Sequence, residues 1–113
     1  MSKRVRIFAA RENNIGMKTT EYYVDALHRQ MKLLQTDFDV RSLSIFGSVA
    51  RRQQVDGSDI DVCVDMPVNP FRRLKLKEHL EQTLGCKVDV IRMHPNMNKL
   101  LSRQIETDGI RIF

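Results

Sequence analysis

Apolar and polar residues alternate most regularly between Asp59 and Met66, where aspartate or cysteine occupies the odd positions and Ile, Val or Met the even ones. A period of two is typical of a strand with one buried face. Two shorter apolar runs, at residues 43–46 and 87–91, are rich in the residue types that half-buried strands contain. The pattern therefore predicts three short strands.

Three longer segments have apolar residues at intervals of three or four, which predicts helices with one apolar stripe each. The first begins near Thr19 and runs for about eighteen residues. The second begins at Pro70 and ends before Gly85, and the last begins at Pro95 and ends at Gly109. The predicted stripes are Tyr23, Leu27, Met31, Leu34 and Phe38, then Phe71, Leu74, Leu76, Leu80 and Leu84, then Met97, Leu100, Leu101 and Ile105.

The elements follow one another as helix, strand, short helix, strand, helix, strand and helix, which predicts an α/β (α+β) domain. With 113 residues, 42% of them hydrophobic, the chain can build one core but not two. We expect a single domain over residues 19–113, preceded by an N-terminal appendage over residues 1–18. The apolar tail at 110–113 has two readings, a packed extended segment or a surface that awaits a partner chain.

The formal net charge of +5 implies an anionic partner such as a nucleotide, a nucleic acid or an acidic protein surface. Basic residues are spread along the chain and aromatic residues make up only 6%, so a nucleic-acid partner is an alternative that the composition does not favour. No apolar run reaches membrane-spanning length, and the two cysteines lack metal-ligand spacing and a secretory context. We expect a cytoplasmic protein without a membrane partner.

Gly47 and Ser48 join the first predicted strand to a short helix predicted over residues 48–54. A strand that feeds a helix in this way exposes backbone N–H groups to a bound anion. Gly47 has no side chain to keep a phosphate at a distance, Ser48 adds a hydroxyl, and Arg51 or Arg52 lies one turn further on. Most Gly-Ser pairs are ordinary turns, so this pair alone does not predict a phosphate site.

Three aspartates mark a second candidate feature. Asp59 and Asp61 lie on the same side of the predicted strand, with Cα atoms roughly 6.6 Å apart. Carboxylate oxygens suit hard cations such as Mg²⁺, although alternating acids can also line the wet face of a strand. Asp89 lies between Val88 and Val90, where its charge needs either a basic partner or a metal ion shared with the other two aspartates.

The motif Gly47-Ser48-Val49-Ala50-Arg51, followed by Ser58-Asp59-Ile60-Asp61-Val62 and later by Asp89, resembles the minimal nucleotidyltransferases of the DNA polymerase β superfamily. The resemblance covers residues 20–113. It implies a mixed, largely antiparallel sheet flanked by helices. The chain departs from the family at Arg52, where the family usually has glycine.

The resemblance also implies roles for individual residues. Asp59, Asp61 and Asp89 are the expected catalytic residues and the ligands of two Mg²⁺ ions, and Asp89 is expected to take the proton of the nucleophile. Gly47 and Ser48 are expected to hold the β- and γ-phosphates of ATP, whose charge Arg51 would neutralise.

The acceptor follows from the resemblance alone. It implies the antitoxin of a HEPN/MNT toxin–antitoxin pair, which transfers AMP from ATP to a tyrosine of its partner HEPN toxin. Two alternatives stay open. One is an antitoxin that neutralises its partner by binding alone, and the other is a nucleotidyltransferase that acts on RNA ends or on a small molecule.

Overall fold

The structure is a computed structural model, and it describes residues 18–54 and 59–113. The appendage predicted at the N-terminus therefore lies, apart from Lys18, outside the described residues, and it stays a prediction. The helices are α1 (Thr20–Arg29), α2 (Met31–Asp37), α3 (Gly47–Ala50), α4 (Pro70–Leu84) and α5 (Lys99–Asp108). The strands are β1 (Ser42–Phe46), β2 (Ile60–Asp65), β3 (Val88–Arg92) and β4 (Ile110–Arg111).

The four strands form one mixed sheet in the order β3-β2-β1-β4. Strand β1 pairs antiparallel with both β2 and β4, whereas β2 and β3 run parallel. The parallel pair requires a crossover, and α4 supplies it. The expected α+β fold with a largely antiparallel sheet is confirmed.

The alternation in β2 separates the two faces of the sheet as predicted. Ile60, Val62, Val64 and Met66 are fully buried and belong to the main core, together with leucines of α1, α2 and α4. The opposite face carries Asp61 and Asp65, both half-buried. Helix α5 packs against β1 and α3.

The first helix is interrupted, contrary to the prediction of one continuous helix. Residue Gln30 lies between α1 and α2 with φ −87° and ψ −1°, so the chain turns there before the helix resumes. Leu27 and Leu34 are nevertheless both fully buried. The apolar spacing identified the buried side of both helices correctly. The turn at Gln30 changes the direction of the chain, but both helices still bury their apolar side.

Two of the predicted apolar stripes are wrong in part. Phe71 and Leu74, in the first turns of α4, are 70% and 51% exposed. No residue of α5 is buried, and Leu100 is 68% exposed. Helix α5 also starts at Lys99, later than predicted, after Asn98 caps it by accepting from the N–H of Leu100. Periodicity finds the apolar side of a helix but does not tell whether another element covers it.

The C-terminal residues pack as an extended segment, which is the first of the two readings of the apolar tail. Ile110 pairs with Ile45 in β1, and Ile112 is buried. No described helix has both the length and the apolar composition needed to cross a membrane.

Tyr23 makes the stability of the fold sensitive to alkaline pH. Its side chain is 6% exposed, and burial raises its pKa from 10.0 to about 12. Between these values the unfolded chain loses the phenol proton while the folded chain keeps it, so the free energy of unfolding falls as the pH rises. Between pH 9 and pH 12 we expect the free energy of unfolding to fall by about 2 kcal/mol less in Tyr23→Phe than in wild type, as measured by urea unfolding.

The neighbouring Tyr22 provides the control, because its side chain is 43% exposed. Tyr22→Phe should change the alkaline loss of stability much less than Tyr23→Phe does. Equal pH profiles for the two variants would contradict a special role of Tyr23.

Candidate active site

The sheet brings two of the three predicted site aspartates together. Asp61 in β2 is the register partner of Asp89 in β3, and the two strands run parallel. Neighbouring strands lie about 4.8 Å apart, and register partners point to the same face of a sheet. Asp59 precedes β2 by one residue and is exposed. The structure therefore places Asp89 beside Asp61, with Asp59 next to the same end of the sheet.

The three carboxylates influence one another electrostatically. Burial raises the pKa of Asp61 above its ordinary value, and the negative charges of Asp89 and then Asp59 raise it further. The guanidinium of Arg51 acts in the opposite direction and lowers it. The end of the sheet at Asp61 is therefore a region of concentrated negative charge, which a cation would stabilise.

The side chains at this end fit a hard divalent cation in their chemistry. All three are carboxylates, the oxygen ligands that Mg²⁺ prefers. Within residues 18–54 and 59–113, no three His, Cys, Asp or Glu side chains are close enough together to form a ready-made metal cage. Two features thus suit a divalent cation: all three side chains are carboxylates, and their charges repel one another at Asp61. The roles of the three residues as metal ligands stay predictions.

Gly47 lies directly against Asp61. A Cβ atom built on Gly47 would be 2.3 Å from Oδ2 of Asp61, closer than any van der Waals contact. Gly47 also has φ +77°, in the left-handed region that favours glycine. Both observations require glycine here, so the first residue of the Gly-Ser pair is needed for the approach of the α3 backbone to the carboxylate.

Ser48 and Arg51 lie beside Gly47 in the positions that the sequence predicts, with one difference. Helix α3 covers only Gly47–Ala50, shorter than the helix predicted over residues 48–54, so Ser48 lies inside the helix and Arg51 directly follows it. The guanidinium of Arg51 donates to Oε1 of Gln53 at 3.1 Å and lies 3.9 Å from Oδ2 of Asp108 in α5. Arg51 thus remains near the surface, where it reaches both the Asp61 cluster and the last turn of α5.

The start of α1 supports the α3 loop, a contact that sequence reasoning missed. The buried hydroxyl of Thr20 donates to the backbone carbonyl of Val49. The amide nitrogen of Gln54 donates to the carbonyl of Lys18 at 3.0 Å, and Glu21 forms an ion pair with Arg52. The pattern Thr19-Thr20-Glu21 predicts only a helix start, because nothing in the local sequence indicates what these side chains contact.

Arg52, the one departure from the family motif, has the backbone conformation that glycine favours. Its φ is +58°, so the loop follows a left-handed path without the glycine. A left-handed conformation costs a non-glycine residue roughly 1–2 kcal/mol. The ion pair with Glu21 at an exposed position offsets little of this cost.

We therefore expect Arg52→Gly to be more stable than Arg52→Ala by about 1 kcal/mol. Both changes remove the ion pair with Glu21, but only glycine relieves the backbone strain. Urea unfolding of the two variants measures the difference. Equal stabilities would mean that residue 52 does not adopt the left-handed conformation.

The basic residues at the start of α4 are largely occupied by acidic neighbours. Arg72 forms an ion pair with Asp39, and Lys75 lies 3.9 Å from Glu78. The acidic neighbours reduce the net positive charge of this surface, which makes it less favourable for a nucleic-acid backbone. The arrangement is that of a solvated helix face.

The family comparison agrees with this geometry. The family described as polymerase beta, nucleotidyltransferase, matches residues 30–113. The chain belongs to this nucleotidyltransferase family. The match contains the Gly47-Ser48 turn and all three aspartates, so the resemblance stated from the motif is confirmed.

Two relatives are informative about this nucleotidyltransferase. It is 36% identical over 98 residues to MJ1217 of Methanocaldococcus jannaschii, a candidate protein adenylyltransferase, covering 85% of this chain and all of that protein. It is 34% identical over 79 residues to the protein adenylyltransferase MntA of Thermococcus cleftensis, covering 68% of this chain and 80% of MntA. The relatives are thus named for adenylyl transfer to proteins.

Solved structures share the fold of this nucleotidyltransferase. A candidate minimal nucleotidyltransferase superposes with a TM-score of 0.67 at 25% identity, covering 82% of this chain and 95% of that one. A toxin–antitoxin complex with AMP-PNP gives a TM-score of 0.64 at 23% identity, covering 76% and 72%. A tri-AMPylated HEPN toxin of Shewanella oneidensis with its MNT antitoxin gives 0.59 at 21% identity, covering 84% and 72%. The last two likenesses, both under 25% identity, concern the fold alone.

Proposed function

We propose that this nucleotidyltransferase transfers AMP from ATP to a tyrosine hydroxyl of a HEPN-type partner and thereby acts as an antitoxin. The relatives named protein adenylyltransferases support the transfer of AMP to a protein. The complexes of similar fold contain an ATP analogue in one case and an AMPylated HEPN toxin in another. These names motivate the choice of donor and acceptor for this chain.

One observation carries the proposal: Asp61 lies in register with Asp89 and directly against the backbone of Gly47. The carboxylate pair can act at the phosphate that reacts in a nucleotidyl transfer. The adjacent turn at Gly47, which has no side chain, can bind the other phosphates. In the proposed complex the carboxylates would face the reacting phosphate, and the turn would face the rest of the triphosphate. A purely structural ion pair would place a basic residue between the two acids, whereas here the acids are neighbours.

Asp59, Asp61 and Asp89 would hold two Mg²⁺ ions, which supply neutralisation of the triphosphate charge and activation of the attacking hydroxyl. Gly47 and Ser48 would bind the β- and γ-phosphates through backbone N–H groups and the serine hydroxyl. Arg51 is exposed and close enough to Asp61 to lower its pKa, so its guanidinium is available for charge that develops on the leaving phosphates.

In the proposed reaction the tyrosine oxygen forms a bond to the α-phosphorus of ATP, and the bond from that phosphorus to the bridging oxygen of the β-phosphate breaks. Pyrophosphate leaves with the electron pair of the broken bond. The tyrosine hydroxyl loses its proton, which the carboxylate of Asp89 accepts. The products are a tyrosyl AMP ester and pyrophosphate, so atoms and charge balance.

The test is transfer of label from ATP to a purified HEPN-type protein encoded next to this chain. We expect label from the α-phosphate in the partner when Mg²⁺ is present, and none from the γ-phosphate. Replacement of the acceptor tyrosine with phenylalanine should abolish labelling. Label from the γ-phosphate would instead indicate a kinase, and absence of any label would refute the proposal.

The same experiment separates catalysis from neutralisation by contact. If Asp61→Asn still suppresses the toxicity of the partner in cells while transferring no label, then binding alone is the antitoxin activity. We expect loss of both label and neutralisation.

A further inference from the structure

The outer edge of the sheet at β3 is held by a side chain of α4. Among the described strands, β3 pairs only with β2. The N–H of Val88, the first residue of β3, donates to Oε2 of Glu81 at 3.1 Å. Because Val88 directly precedes Asp89, Glu81 fixes the backbone at the point where the strand presents the Asp89 carboxylate.

The same oxygen of Glu81 also binds Lys77. The ammonium of Lys77 lies 2.8 Å from Oε2, one helical turn away along α4. The hydrogen bond to Glu81 raises the pKa of Lys77, and the charges of Asp89 and Asp59 raise it as well. The Lys77 ammonium and the Val88 N–H bind the same carboxylate oxygen, so the lysine lies beside the residue that precedes Asp89.

A second ion pair on α4 shows that this arrangement differs from an ordinary helix surface pair. Lys75 and Glu78 are 56% and 55% exposed and lie 3.9 Å apart. Lys77 and Glu81 are 41% and 28% exposed. Surface pairs at this spacing contribute little by themselves. The Lys77–Glu81 pair differs because Glu81 also accepts a hydrogen bond from the backbone of β3, the strand that carries Asp89.

We propose that Glu81 and Lys77 are positioning residues for Asp89. Glu81 fixes the start of β3 and holds the Lys77 ammonium beside that point of the strand, where its positive charge offsets part of the negative charge of the carboxylates. The proposal rests on the proposed function, in which Asp89 takes the proton of the acceptor hydroxyl.

The test compares three variants with wild type. In Glu81→Ala we expect the Val88 amide to exchange its hydrogen about tenfold faster, because one hydrogen bond is lost. We expect kcat for AMP transfer to fall about tenfold to a hundredfold, because Asp89 would be misplaced. KM for ATP should change little, because the Gly47-Ser48 turn would keep its position. In Lys77→Met the amide should stay protected while kcat falls.

Glu81→Gln keeps an oxygen for the Val88 N–H and loses the charge for Lys77. It should restore amide protection and only part of kcat, which separates the two roles and keeps the test valid if Glu81→Ala folds poorly. The matched controls are Lys75→Met and Glu78→Ala on the same helix. Both should leave amide exchange and kcat at the wild-type values.

The proposal is overturned if Glu81→Ala leaves the Val88 amide protected, if it leaves kcat unchanged, or if Glu78→Ala reduces kcat equally. An inactive wild-type protein would refute the proposed function instead. In that event Mg²⁺ titration by calorimetry replaces kcat, and unchanged Mg²⁺ affinity in Glu81→Ala would overturn the positioning role.

Discussion

Asp61→Asn is expected to lower kcat for AMP transfer by about a thousandfold or more, because the proposed metal ligand would contribute several kcal/mol to the transition state. Asp89→Ala should have an effect of the same order, since it removes the proposed proton acceptor as well. Label transfer from ATP to the partner measures both. Full activity in either variant would rule out the assignment of the site.

Stability distinguishes this loss from unfolding. Burial and the neighbouring acids raise the pKa of Asp61, so its ionised form is disfavoured in the metal-free fold. Removing the charge should therefore leave the metal-free protein at least as stable as wild type near neutral pH. Asp65→Asn is the matched control, because Asp65 lies on the same face of β2 and binds Arg41 at 3.1 Å. This control should retain activity.

Gly47→Ala is expected to reduce kcat by roughly a hundredfold, because its Cβ would displace the Asp61 carboxylate by about 1 Å. The atom that it would strike is Oδ2, at the end of a side chain that can rotate away. The variant should therefore still fold, with a free energy of unfolding lower by about 1 kcal/mol because alanine adopts the left-handed conformation less readily than glycine. The Asp61 carboxylate would be displaced from the position proposed for catalysis. Kinetic assays and urea unfolding of the same sample separate the two effects.

Gly85 offers a control of the same backbone type. It ends α4 with φ +72°, and a Cβ atom there would meet nothing within 4 Å. Gly85→Ala should lose a similar amount of stability and no activity. If both variants lose activity to the same degree, backbone strain rather than the contact with Asp61 is responsible.

The part of the site that could be predicted from the residues is the part that depends on local pattern. The alternation in β2 indicates the side on which Asp61 lies and the buried side of the strand, because side chains of a strand alternate regardless of its neighbours. The position of Asp89 beside Asp61 depended on the resemblance, since it requires the pairing of two strands that α4 separates in the sequence. The structure agrees with that expectation.

The missed contacts all join different elements of the fold. Thr20 reaches Val49 across 29 positions, and the bond from Val88 to Glu81 depends on how α4 crosses the edge of the sheet. Phe71 and Leu74 have the spacing of core residues and yet stay exposed, since no described element covers the first turns of α4. Periodicity describes one element at a time, and these features belong to pairs of elements.

The pairing of β4 with β1 has a consequence for handling the protein. The N–H of Leu43 donates to the carbonyl of Phe113 at 3.1 Å, and the N–H of Ile112 donates to the carbonyl of Leu43 at 2.9 Å. A shortened chain that ends at Gly109 would leave this side of β1 with unpaired amide and carbonyl groups, which is the template on which identical chains stack into aggregates.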